Sequence, residues 1–76
     1  MNKAAKTFLD SHKGAVTEYR KGSMKNIFLW KAGDTYILDH ITAGCSHTIK
    51  ATATSEEMTE FVEANGYKVV ALHCNI

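Results

Sequence analysis

Cys45, His47, His73 and Cys74, with Asp39 and His40, are the residues whose types could bind a metal or support nucleophilic catalysis. Cys45 and His47 stand two positions apart, so a β-strand would put both on one face, and zinc accepts a thiolate and an imidazole. The pattern stops there. No Cys-x-x-Cys pair accompanies it, and adjacent His73 and Cys74 would point to opposite faces of a strand. A relay from either cysteine through a histidine to Asp39 depends on geometry that proximity in sequence does not supply. No glycine-rich phosphate loop is present either. The sequence predicts no catalytic residue, no metal site, no cofactor and no small-molecule substrate. Both thiols are expected to be free.

The elements around these residues are easier to read. Ala5, Phe8, Leu9 and His12 recur at helical spacing, with Asn2 as N-cap and Gly14 placed to end the helix after Lys13. Strands are expected over 15–21, 24–31 and 35–41. Gly22-Ser23 and Ala32-Gly33-Asp34 supply the turns between them. A loop of small residues, 42–46, leads to a fourth strand over 47–53. There Ile49, Ala51 and Ala53 alternate with Thr48, Lys50 and Thr52, which predicts one apolar face and one wet one. Thr54-Ser55-Glu56-Glu57 then reads as a capping box opening a second helix whose buried edge is Met58, Phe61 and Val62. Asn65-Gly66 closes it, and 67–72 forms a last strand. The expected fold is α+β, a single antiparallel sheet of four to five strands in the order α-β-β-β-β-α-β, with one helical layer. Residues 1–76 make one domain.

Composition is that of an ordinary globular chain, with 45% hydrophobic and 22% charged residues. No apolar run approaches the roughly 20 residues that span a bilayer, and the first residues lack the apolar centre of a signal peptide, so a cytoplasmic location is expected. Net charge is +1, but it is unevenly spread. Positions 1–31 hold seven Lys/Arg against two acids, and the remainder holds two lysines against six acids. Arg20, Lys21, Lys25 and Lys31 make the first two strands a candidate nucleic-acid surface. Glu56, Glu60 and Glu63 line the outer side of the second helix and form a candidate acidic docking face.

Ile27-Phe28-Leu29-Trp30 puts four large apolar side chains in a row, so this strand is apolar on both faces. One helical layer covers only one face, which predicts association, either as a homodimer or with another protein. Phe28 and Trp30 on one strand, with Tyr36 and Leu38 on the next, are the expected interface residues, since large aromatic side chains concentrate at interface centres. The favoured function is therefore a non-catalytic binding protein that occludes a surface. Nucleic-acid binding through the basic half is the alternative.

Three resemblances accompany this reading. Helix, three strands, helix resembles the order of the double-stranded-RNA-binding domain, although the second helix here carries Glu56, Glu57, Glu60 and Glu63 where that family is basic. Three strands followed by a Thr54-Ser55-Glu56-Glu57 helix are similar to the arm-binding domains of tyrosine recombinases, on a turn and a cap. The small size and lack of motifs resemble phage-encoded antagonists of host defence such as anti-CRISPR proteins, which implies inhibition by covering a host protein.

Overall fold

Glycine sets the turns of the sheet. Gly22 and Gly33 each hold a φ near +60° at the first central position of a two-residue hairpin turn, a conformation that costs an L side chain energy. The computed structural model describes residues 2–75. Its elements are α1 (Lys3–Ser11), β1 (Gly14–Lys21), β2 (Met24–Ala32), β3 (Thr35–Thr42), β4 (Cys45–Thr52), α2 (Ser55–Ala64) and β5 (Lys68–Asn75). The anticipated 42–46 loop is only a tight turn. Gly44 takes the positive φ, and Cys45 pairs directly with Thr42.

The five strands form one antiparallel sheet in the order β4-β3-β2-β1-β5. The first four make a meander. The connection through α2 then crosses to the far side, where β5 pairs with β1.

The two helices lie on opposite faces of the sheet, which corrects the expectation of one helical layer. Ala5 and Leu9 of α1 pack with Val16, Phe28 and Ile41. Met58 and Val62 of α2 pack with Tyr19, Ile27 and Leu38. Adjacent Ile27 and Phe28 are both fully buried because each faces a different helix. The doubly apolar strand is therefore the centre of a three-layer monomer, and it does not itself require a partner.

Both helix starts are capped by the anticipated residues. Asn2 Oδ1 accepts from the Ala5 N–H at 2.7 Å, while its Nδ2 donates to the Ile41 carbonyl at 3.2 Å, tying α1 to β3. Thr54 Oγ1 accepts from the Glu57 N–H at 3.2 Å. The Glu57 carboxylate does not return to Thr54; it accepts from the Thr52 hydroxyl at 2.5 Å. At the other end of α2 the Tyr67 N–H reaches the Val62 carbonyl at 2.9 Å and the Gly66 N–H reaches that of Glu63, a Schellman closure around Gly66.

β4 departs from the alternation in its sequence. The register slips between Leu38 and Asp39, which pair with Lys50 and Thr48 and leave Ile49 as the extra residue. Thr52 is buried and Lys50 lies over the Phe61 ring on the α2 side, whereas Ala51 and Ala53 are exposed. The face predicted to be wet is thus largely the one under α2. A bulge reverses the alternation on one side of itself, and nothing in a run of Thr, Ile and Ala announces it.

Candidate functional site

A row of cross-strand partners runs over the α2 face of the whole sheet: Lys50, Leu38, Leu29, Thr17 and Leu72, one residue from each strand. From Leu38 towards β5, exposure rises. Leu38 is fully buried, Leu29 and Thr17 are half-buried, and Leu72 is 67% exposed. Helix α2 covers the β3–β4 half of this face and leaves much of the β1–β5 half uncovered. An open cavity of about 270 Å³ is lined by Ala15, Thr17, Leu29, Trp30, Lys31 and Tyr36 of β1, β2 and β3. Leu72, opposite Thr17, continues this surface outward.

β5 bounds the open half and is an edge of the sheet, so one side of its backbone has no strand partner among the described residues. Val69 is 63% exposed and Val70 51%. Leu72 and Val69 sit opposite Thr17 and Tyr19, which places them on the α2 face. Val70, the extra residue of a register shift, lines a second cavity with Glu18 and Arg20. An apolar strand edge beside an apolar groove can accept a further strand through main-chain hydrogen bonds and hold its side chains in the groove.

The α1 face is closed by polar contacts as well as apolar ones. Buried Asp39 has both carboxylate oxygens occupied: Trp30 Nε1 donates to Oδ2 and Thr48 Oγ1 donates to Oδ1, each at 2.8 Å. Phe8 packs against Phe28 and Trp30, and His12 meets the Trp30 ring edge-on at 5.0 Å. Glu18 and His73 lie 2.9 Å apart across β1 and β5, with the imidazole against Phe28. On the α2 face, burial pushes the Tyr19 phenol above its ordinary pKa.

The predicted interface residues do not form one patch. Phe28 and Trp30 face α1, whereas Tyr36 and Leu38 face α2, because hairpin register pairs Phe28 with Asp39 and Leu29 with Leu38. Phe28 and Leu38 are core, while Trp30 and Tyr36 reach the rim of the open groove. Val69, Val70 and Leu72 were not among the anticipated site residues. The available signal was an apolar last strand with no remaining helix to cover it.

The basic candidates divide. Arg20, Lys21 and Lys25 gather at the β1–β2 hairpin end and are joined there by Lys68, the cross-strand partner of Arg20. Lys31 is at the opposite end of β2, with its ammonium 5.4 Å from the Tyr36 ring centre. Glu56, Glu60 and Glu63 are exposed on α2.

The residues considered for metal chemistry are spread over both edges. His40 and His47 are cross-strand partners, but His73 and Cys74 lie on β5, and among the described residues no three His, Cys, Asp or Glu side chains cluster as metal ligands. Cys45 and Cys74 are exposed on opposite edge strands. Four strand spacings of about 4.8 Å separate those edges, far beyond the reach of a disulfide. Among the described residues, no helix is long and apolar enough to cross a membrane. Compared with protein-family models, curated proteins and solved structures, the chain matches none.

Proposed function

We propose that this chain is a non-catalytic protein-binding domain whose docking element is β5, and that its first occupant is the β5 strand of a second copy. The observation that supports this reading is the edge strand that leaves Val69, Val70 and Leu72 exposed beside the groove at Thr17 and Leu29. Burying such side chains contributes about 25 cal/mol per Å² of apolar surface removed from water. The backbone edge adds directional hydrogen bonds.

The strand complements itself. An antiparallel pairing of two β5 strands about an axis between Val70 and Ala71 sets Val69 opposite Leu72 twice, both on the α2 face. It sets Val70 opposite Ala71 twice and Lys68 opposite His73. The two Lys68 ammonium groups stay at far ends of the pairing, so no like charges are opposed. The other edge is less suited to this. On β4, Cys45, Ser46, His47 and Thr48 present polar or small side chains. The same edge would serve an antagonist of the type the chain resembles in size, since occluding a host protein needs only a strand-accepting surface.

Sedimentation velocity tests the proposal. The wild-type chain should form a dimer at micromolar concentration, and Leu72→Asp or Val69→Asp should give a folded monomer with unchanged circular dichroism and a melting temperature matching that of the wild type diluted to its monomeric state. A wild-type monomer at every concentration, or a dimer that survives both substitutions, would overturn it.

A further inference from the structure

We infer that the hairpin end of the α1 face is a binding site for the phosphate backbone of nucleic acid. Arg20 and Lys68 are direct cross-strand partners on β1 and β5. Like charges opposed in this way destabilise a sheet. The one salt bridge among the described residues joins Glu18 to His73, so neither Arg20 nor Lys68 has a carboxylate within salt-bridge distance to offset the repulsion. Lys25 and Arg20 line one open cavity of about 250 Å³ together with Glu18, Tyr19, Asn26 and Val70. Lys21 stands at the same end but on the α2 face, 5.2 Å from the centre of the Tyr67 ring, so it lies outside this site. Three cations from three adjacent strands, Arg20, Lys25 and Lys68, thus converge at this end of the α1 face.

The fold also removes the main electrostatic objection to a polyanion. Glu56, Glu57, Glu60 and Glu63 all belong to α2, on the other face of the sheet. α1 brings Lys3 and Lys6 to the same side as Arg20 and Lys68; the acids there are Asp10, Glu18, which pairs with His73, and Asp39, whose oxygens accept from Trp30 and Thr48. A net charge of +1 therefore hides a basic side and an acidic side. A duplex approaching the basic side would meet the cations while the four glutamates point away. Phosphates fit this site better than an acidic peptide does, because repeated charges on one rigid backbone can engage cations on three strands at once. Bound phosphate would also relieve the Arg20–Lys68 repulsion.

Fluorescence anisotropy with a short labelled DNA duplex, measured over a range of salt, tests the site. Engagement of three cations predicts a slope of log K against log salt of about −2.7, and Arg20→Gln or Lys68→Gln should each reduce its magnitude by about 1. Lys68→Gln should also raise the melting temperature of the free protein slightly, because it removes the opposed charge. No duplex binding at low salt, or binding that both substitutions leave unchanged, would overturn the inference. So would stronger binding to labelled polyglutamate than to the duplex, which would assign the site to an acidic protein. The readout is independent of β5 pairing, since Leu72→Asp should retain the duplex affinity of each chain.

Discussion

The β3–β4 half and the β1–β5 half of the sheet answer the same problem differently. Both present apolar side chains on the α2 face. On β3, Leu38 is sealed beneath Met58 and Val62; on β5, Leu72 in the same cross-strand row stays largely in water. The difference follows from one helix of ten residues, about 15 Å long, lying against a five-stranded sheet roughly 20 Å wide. It teaches that a small sandwich can be complete in its centre and unfinished at one edge, and that the unfinished edge is where binding is cheapest to build.

The sharpest way to break this comparison is to shorten both leucines. Leu38→Ala should cost about 2–5 kcal/mol, the usual loss for a large side chain in a closed core. Leu72→Ala should change the stability of the monomer by no more than about 0.5 kcal/mol, as for other exposed positions. Urea denaturation under monomeric conditions measures both. Equal losses would mean that β5 is as covered as β3.

Asp39 sharpens the comparison on the opposite face. Asp39→Ala leaves the Trp30 indole N–H and the Thr48 hydroxyl without their acceptor and should cost about 1–3 kcal/mol. Tryptophan fluorescence should shift as the indole loses its partner. If stability is unchanged, the α1 face is held by its aromatic packing alone.

The cap of α2 should lose less than Leu38 or Asp39. Thr54→Ala removes the acceptor for the Glu57 N–H and should cost about 1 kcal/mol. That is a fall of roughly 4–8 °C in melting temperature for a domain of this size. Dimerisation through β5 should persist below the new transition. Loss of the dimer while the protein remains folded would make α2, and not the edge strand, the organiser of the open surface.

Local signals carried most of the element order. Asn2, Thr54 and Gly66 act where their side chains or backbone freedom suggest, because caps depend on neighbours three or four positions away. The placement of helices on faces was not legible. Ile27 and Phe28 show that two faces are apolar, but whether one helix covers each is decided by how α2 crosses from β4 to β5. That choice also decides which strand becomes the edge. The aromatic pairs failed as one patch for a related reason: Phe28 with Trp30 and Tyr36 with Leu38 share a face within each strand, and the register of β2 with β3 places the two pairs on opposite sides. The Ile49 bulge likewise depends on pairing with β3. Of the basic cluster, three members were visible along the chain, while Lys68 joins only through a strand pairing far away in sequence.

That distant pairing bears on how the molecule comes into being. Glu18 and His73 meet across 55 positions of chain. During synthesis the four-stranded meander and α1 are made well before β5, so β1 is for a time the outermost strand, with Val16 and Tyr19 lacking their final neighbour. Contacts of such long separation slow folding relative to local ones, and an unpaired inner strand invites the wrong partner in the meantime. A nascent chain stalled before residue 68 should therefore be a captive of whatever strand it meets first, whereas release of β5 commits β1 to its own chain.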